Sequence, residues 1–399
     1  MITNCRLIWL LNYITTASVS AAVITPGLPA IGHSFHLNAG SIQWMISAFL
    51  GGYVIGQLIY GPLANRMGRL GALRIGLLIN LLGLLICFAG LALHAYPVLI
   101  AGRLVSALGA ASGLSCTLIL INEWLPEHQR RTALSYSILA FTLSIGLAVS
   151  LGGWIVAYWQ WQGCFALLFI HGVLLLAGTV FLKETMKSPR LVKLSHIIAA
   201  YRQTLASPGL VVYALAVGYC SAIGYCYSAA GSLIAERFLH LSAAAYGTWN
   251  LINMLGMLIG GLLTNKLLHR YSPLKVVGYG FAGCAGALLG LLIIWKQQWL
   301  SPIGFFINTS LLYLFGGFLF AGGSYLASAA VPDKSNGSAM LSFINMLTAT
   351  LAVIIMGYMN NNPWLGLLDV LLLLGGLIAG MVILFHYKTS SSPEPVNNR

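Results

Sequence analysis

The chain has 399 residues, of which 59% are hydrophobic and 7% charged, and its 20 Lys and Arg against 7 Asp and Glu give a formal net charge of +13. No water-soluble core can hide that much apolar surface, and hydrophobicity that is continuous rather than alternating excludes a membrane β-barrel, which leaves membrane-spanning helices. The basic excess fits anionic lipid at one membrane surface; the sequence carries no domain for nucleic acid.

Twelve apolar stretches of about 20 residues or more follow one another, each long enough to cross roughly 30 Å of hydrocarbon as an α-helix. They are predicted at 7–30, 42–61, 72–94, 97–122, 133–158, 162–182, 209–235, 245–268, 275–295, 302–330, 338–359 and 364–387. The first is too long for a signal-peptide core and is expected to be a retained helix. The expected fold is an all-α membrane protein with twelve transmembrane helices in two pseudo-symmetric six-helix bundles.

In chain order, the first span offers Asn12. A basic, glycine-rich turn from Gly61 to Arg69 separates spans two and three. Span four holds Arg103 about six residues from its start, and burying a guanidinium in a membrane costs several kcal/mol unless something pairs with it. Its partners are carbonyls of a neighbouring helix or Asn12, cavity water, or an anionic substrate. Glu123, twenty residues on, lies roughly 30 Å away along the helix and cannot be that partner. Glu123 closes span four and Glu236 closes span seven at the opposite face. Each reads as an interfacial charge or as a proton-coupling candidate. His171 in span six is the remaining deep titratable group, read as a packed, hydrogen-bonded histidine or a coupling group.

The stretch from Lys183 to Pro208 carries five basic residues and splits the spans six and six. The expected organisation is therefore a first bundle at 1–182, a cytoplasmic linker at 183–208, a second bundle at 209–388 and a disordered tail at 389–399. Gly56, Gly61, Asn65 and Arg66 recur two hundred positions later as Gly256, Gly261, Asn265 and Lys266. Small residues permit close packing in any bundle, but the repeat, the linker and the charge pattern together suggest duplicated halves with a site between them near the midplane. With both termini on the cytoplasmic side, 17 of the 20 basic residues fall on that side.

Span seven is unusually aromatic, with Tyr213, Tyr219, Tyr225 and Tyr227. Span eight adds Trp249, Asn250 and Asn253, and spans ten and eleven offer Asn308, Tyr313, Tyr325 and Asn345. Of these Tyr219, Tyr225, Trp249, Asn253, Asn308 and Asn345, with Arg103 and Asn12, are the candidate cavity residues. Aromatic rings with scattered polar groups suit amphiphilic ligands, although rings near helix ends also anchor to lipid interfaces. The seven cysteines form no C-x-x-C pair and read as small packing residues. No zinc, nucleophile-elbow or phosphate-loop motif is present, so no catalytic set, metal or cofactor is expected.

Gly61-Pro62-Leu63-Ala64-Asn65-Arg66-Met67-Gly68-Arg69 resembles the loop signature of the major facilitator superfamily, G-x-L-A-D-R-x-G-R, between its second and third helices. Leu99 to Ala111, with Arg103, Gly109 and Ala110, is similar to that family's helix 4 motif, R-x-x-Q-G-x-G-A. The wider context, from Pro26-Gly27-Leu28-Pro29 and Gly56-Gln57-Leu58 to Gly152-Gly153-Trp154, resembles the bicyclomycin-resistance branch of drug:proton antiporters. The resemblance implies alternating access by two pivoting bundles, a small-molecule substrate, a bacterial inner-membrane location and a monomer sufficient for function. It also implies a gating segment of Gly61, Asn65, Arg66, Gly68 and Arg69. The two arginines can pair with charge and with helix C-terminal carbonyls when the cytoplasmic side shuts, or serve only to set topology.

Several positions depart from the pattern. Asn65 stands at the loop Asp, which weakens a charged latch to a neutral hydrogen bond. Val149 stands near the helix 5 Pro, Ser106 at the helix 4 Gln, Gln162 where Arg is usual, and Ala22 at the branch's helix 1 acid. The seven carboxylates all fall in loops or at helix ends, so none is left near the midplane to carry a proton. The expected function is export of an amphiphilic compound. The alternatives are a carrier of an anionic metabolite or carboxylate siderophore, built on Arg103, and a non-transporting membrane sensor or assembly partner with a degenerate transporter fold.

Overall fold

The computed structural model describes residues 4–125, 127–186 and 194–391. The tail beyond 391 and the linker's middle, 187–193, lie outside the described residues. The α-helices are α1 Asn4–Ala22, α2 Leu28–Ser34, α3 Ala39–Met67, α4 Arg69–Ala92, α5 Tyr96–Trp124, α6 Glu127–Trp159, α7 Gln162–Gly178, α8 Leu194–Leu205, α9 Pro208–Leu239, α10 Ala243–Trp249, α11 Leu251–Arg270, α12 Pro273–Lys296, α13 Pro302–Ala329, α14 Lys334–Met359 and α15 Pro363–Ser391. Among the described residues, twelve helical segments are long and apolar enough to cross a membrane.

Local chemistry sets where these helices begin. Asn38, Ser207, Ser242 and Ser301 each accept a hydrogen bond from the backbone N–H three residues on, capping α3, α9, α10 and α13. Pro208 and Pro302 then occupy first-turn positions, where a missing N–H costs nothing. The first crossing breaks at Thr25–Gly27, a 3-10 turn built on Pro26. The apolar stretch at 42–61 continues as helix through Pro62 to Met67, so the expected loop signature is mostly the last turns of α3, and Gly68 alone joins it to α4. Hydrophobicity stops at the membrane edge, but Leu63 and Ala64 still favour helix beyond it. The linker likewise contains a short amphipathic helix, α8.

The twelve crossings form two pseudo-symmetric six-helix bundles, and two packing devices recur in both. Gly52 and Gly56 of α3 lie against the Leu104 and Leu108 carbonyls of α5, while Gly256 and Gly260 of α11 lie against the Ser310 and Leu314 carbonyls of α13. A methyl at Gly56 would sit 2.6 Å from the Ala111 Cβ, and one at Gly260 would sit 2.8 Å from the Leu314 Cα. Only glycine lets these backbones approach so closely. The structural repeat therefore runs from Gly52 to Gly256 and from Gly56 to Gly260, about one helical turn out of register with the two-hundred-residue sequence coincidence. The second device is a tyrosine strut. Tyr13 donates to the Leu175 carbonyl at 2.9 Å, joining α1 to α7, and Tyr219 donates to the Leu371 carbonyl at 3.0 Å, joining α9 to α15.

Both ends of the bundle are distinguishable by charge. The basic end carries Arg66, Arg69, Arg74, Arg270, Lys275 and Lys388; the far end carries the 36–38, 93–95 and 240–242 connections. The halves meet at the far end. Trp44 of α3 donates to the Tyr358 hydroxyl of α14 at 2.8 Å, Gly153 of α6 packs on Ala243 and Gly247 of α10, and His33 of α2 approaches Glu236 of α9 at 3.4 Å. Midway, Gly146 of α6 packs on the Met254 side chain of α11, and Tyr225 and Phe343 pack against the apolar clusters of both halves. At the basic end, added methyl groups at Gly61 and Gly261 would meet open space.

Candidate functional site

The gating segment is held by carboxylates from two other elements. Gly68 has φ +91, a conformation that L side chains rarely adopt, and the Glu184 carboxylate lies 2.5 Å from where its Cβ would be. Reversing the chain there exposes the first N–H groups of α4 to Glu184, which accepts from Arg69 at 3.0 Å and Leu70 at 2.9 Å. An anion at a helix N-terminus meets both orphan donors and the positive end of the dipole. Burial pushes the Glu184 carboxyl up, but the N–H groups of Met186, Leu70, Arg69 and Thr185 outweigh it and hold the group below the usual carboxylate range.

Arg69 forms the other arm. Its guanidinium grips both oxygens of Glu123, from 2.6 to 3.1 Å, and donates to the Ala64 carbonyl in the last turns of α3 at 3.1 Å. Thr185 also donates to Glu123. Arg69, Glu123, Glu184 and Thr185 thus tie the ends of α3, α4 and α5 to the segment after α7. Asn65 was expected to supply a neutral latch bond, but it makes no hydrogen bond among the described residues; the latch bypasses it through Glu184. Arg66 is exposed and pairs with no carboxylate among the described residues. Glu184 and Thr185 were missed because the sequence reading treated everything after 182 as linker.

Arg103 is fully buried at 0% exposure. Its Nη1 donates to the Ser20 carbonyl of α1 at 3.0 Å, its Nε to the Met45 carbonyl of α3 at 3.3 Å, and its plane lies 4.3 Å over the Phe49 ring. One nitrogen, Nη2, has no partner. Of the partners weighed for it, neighbouring carbonyls are the ones present. Asn12 does not reach it, since that half-buried side chain makes no hydrogen bond among the described residues. In this conformation the Arg103 guanidinium is enclosed by those carbonyls and the Phe49 ring.

The other wall candidates divide. Tyr219 is the strut to α15, stacked on Phe281. Asn308 donates to its own Gly304 carbonyl and lies against Gly290 of α12, also away from the junction. Asn253 donates to Asn250 at 3.0 Å and accepts from Thr309 at 2.8 Å, a buried neutral chain linking α11 to α13. Trp249 is half-buried and stacks on Phe306 at 5.6 Å. Tyr225 stands at the junction of the halves, as do Phe343 and Met346 of α14, two apolar residues that a search for polar groups overlooked. Asn345 lies beside them, buried, with its Oδ1 unpartnered, and Gln57 of α3 has a buried unpartnered Oε1 in the other half. His171 is half-buried on α7 with no hydrogen bond among the described residues, unlike the packed, bonded group expected. Glu236, 41% exposed, faces His33 beside a small cavity of about 160 Å³ at the far end. No cluster of His, Cys, Asp or Glu among the described residues has metal-binding geometry.

The sequence profile of the Major Facilitator Superfamily matches residues 10–238, more than half of the chain. The chain belongs to the major facilitator superfamily. Among its relatives is Multidrug resistance protein D of Escherichia coli (strain K12), 23% identical over 324 residues that cover 79% of this chain and 78% of the relative. The multidrug transporter MdfA of Yersinia pestis is 24% identical over 349 residues, covering 84% and 82%. Solved structures share the fold. The xylose transporter XylE from E. coli in an inward open conformation superposes with a TM-score of 0.73 at 15% identity, covering 99% of this chain and 97% of that one. A bacterial homologue of the human lysosomal transporter Spinster, inward-facing and unoccupied, gives 0.71 at 17% identity, covering 94% and 93%. The protein is a multi-pass inner-membrane transporter of this family.

Proposed function

We propose that the chain exports amphiphilic organic compounds by alternating access, with bundles at 1–182 and 209–388 pivoting about the junction and both termini in the cytoplasm. The observation that carries the reading is one-sided closure: matched halves meet at the far end and midway, while Gly61 and Gly261 face open space at the basic end. The basic end is the cytoplasmic one by its charge, so this conformation is inward-facing, in keeping with the states of the two solved neighbours. The Arg69–Glu123–Glu184 cluster locks three helix ends into one rigid body that moves as a unit.

The substrate class rests on the junction and on the relatives, by name a multidrug resistance protein and a multidrug transporter. Tyr225, Phe343 and Met346 offer a permissive apolar wall, and the unpartnered amide oxygens of Gln57 and Asn345 accept hydrogen bonds from a ligand's N–H groups. The test is flux of an amphiphilic amine dye in proteoliposomes. Saturable flux that falls about tenfold in Asn345→Ala and Gln57→Ala supports the reading; flux equal to empty liposomes overturns it. Coupling is examined in the same assay by imposing a pH gradient, with Glu123→Gln and Glu236→Gln in parallel.

A further inference from the structure

At the far end Trp44 of α3 donates to the Tyr358 hydroxyl of α14, and the two helices lie antiparallel across the junction. Thirteen residues on from Trp44 is Gln57, and thirteen back from Tyr358 is Asn345, so the two amides stand at one level, roughly 20 Å from that contact. Each has a buried amide oxygen with no partner, and Tyr225 of α9 and Phe343 of α14 pack at the junction against both halves. The three helices that supply these residues are charged only at their ends. Arg66 is next to last in α3, Glu236 and Arg237 fall in the last turn of α9, and Lys334 opens α14; none of the three contains a histidine.

Helix α5, packed on α3 through the glycine seam, adds one charge away from its ends, Arg103. Its guanidinium is bonded to the Met45 carbonyl, twelve residues back along α3 from Gln57, roughly 18 Å from the level of the amides. Neutral carbonyls and the Phe49 ring surround it, and no carboxylate pairs with it among the described residues. Its positive charge therefore acts on the junction through a medium of low dielectric. Alternating access requires the site to close over its ligand, which strips water from it. A cation so stripped finds no carboxylate in the interior of these crossings and is repelled by Arg103. The ring faces of Tyr225 and Phe343 return only part of that cost. An anion gains little, because the guanidinium that would attract it is enclosed. A neutral hydrogen-bonding group escapes the penalty, since an amide side chain offers it both an acceptor and donors.

We propose that the junction admits its ligand only in uncharged form, held at Gln57 and Asn345 through a neutral hydrogen-bonding group such as a carboxamide or a free-base amine, and excludes the corresponding cation. The inference rests on the transport reading above and narrows it: an amphiphilic amine crosses as its deprotonated fraction.

Three probes of one shape separate charge from hydrogen bonding: para-hexylbenzamide is neutral, para-hexylbenzamidinium keeps N–H donors but is a cation, and para-hexylbenzoate is an anion. Each competes against saturable flux of the amine dye in proteoliposomes of the full-length protein, with equal pH on both sides and the membrane potential held at zero. The benzamide should inhibit at concentrations at least about tenfold below those of either charged probe. The dye's own half-saturating concentration should rise about tenfold for each pH unit below the dye's pKa, because only the uncharged fraction binds. A second dye of different pKa should shift that profile in step, which separates titration of the ligand from titration of the protein. Asn345→Asp and Gln57→Glu place a carboxylate at the same level and should each turn the preference toward the amidinium while dye flux persists. An amidinium that inhibits as well as the benzamide, a benzoate that inhibits better, or a dye affinity indifferent to the dye's ionisation overturns the proposal and leaves the transport reading standing. Acid variants that carry dye yet keep the native preference overturn the assignment to Gln57 and Asn345. Absence of saturable dye flux overturns the transport reading itself, and this inference with it.

Discussion

The first and second halves share their scaffold and differ in their charge. Each has a glycine seam between its second and fourth crossings and a tyrosine strut between its first and last. Yet Arg103, the eighth residue of α5, ties α5 to the carbonyls of α1 and α3, whereas the eighth residue of α13 is Thr309, which ties α13 to Asn253 of α11. The latch of Arg69 with Glu123 and Glu184 joins the first half to the start of the linker, and α12 begins with Pro273 where α4 begins with Arg69. The two halves share the contacts that shape sets and differ in the ionic ones. Among the described residues, the first half carries an Arg–Glu ion pair at its basic end, and the matched positions of the second half named here make neutral contacts.

The glycine seams offer the hardest way to break this comparison. Gly56→Leu and Gly260→Leu should each cost roughly 3 kcal/mol or more, because backbone rather than a flexible side chain opposes the added atoms. Thermal unfolding in detergent should find the two losses alike; a harmless change at either site would remove the claim of a shared seam. The matched polar positions should behave unequally. Arg103→Met forfeits two charge-assisted bonds and a ring contact, for about 3 kcal/mol, while Thr309→Val forfeits one neutral bond, for about 1 kcal/mol. Equal losses would mean that the buried charge has no special part in the first half.

The tyrosine struts sharpen the symmetric side of the account. Tyr219→Phe removes one buried hydroxyl bond and should cost about 1 kcal/mol, Tyr13→Phe removes the strut bond and the one accepted from Trp9 and should cost about 1 to 2 kcal/mol, and neither should change substrate affinity. A change of affinity in Tyr219→Phe alone would return that residue to the cavity wall. The smallest effect concerns pH. Because Glu184 is held below the usual carboxylate range in the folded protein, its stabilisation is complete above that range and is lost as pH falls through its folded value. The unfolding midpoint of the native protein should therefore fall toward that of Glu184→Gln on acidification, closing a gap of about 1 kcal/mol. A gap that persists unchanged at low pH would show that the carboxylate does not cap α4.

Most of the fold was legible in the sequence because apolar length is a strong signal and lipid leaves the backbone little choice but helix. Less legible was where helices end. Hydropathy marks the membrane edge and not the cap, so α3 ran on past Gly61 and α8 was folded into the linker. Arg103 drew notice as a buried charge, but backbone carbonyls that receive it have no sequence signature, and an anion stayed among the candidates behind them. Tyr219 and Asn308 were named for their residue type. Which face of a helix they occupy depends on packing, and the hydrophobic pattern of these helices is too uniform to reveal it. Glu184 was visible as one of seven carboxylates; its position beside Gly68, 116 residues earlier, was not.

The central claim is that the two halves rock about their junction, and distance measurement between them tests it directly. Spin labels at Gly61→Cys and Gly261→Cys, both facing open space, report the basic end, and labels at His36→Cys and His240→Cys report the far end, in a background with the native cysteines replaced. On adding a transported amphiphilic amine, the account predicts a new population with a shorter basic-end distance and a longer far-end distance. Distances at both ends that stay fixed, or that lengthen together, under conditions of measurable flux would contradict it.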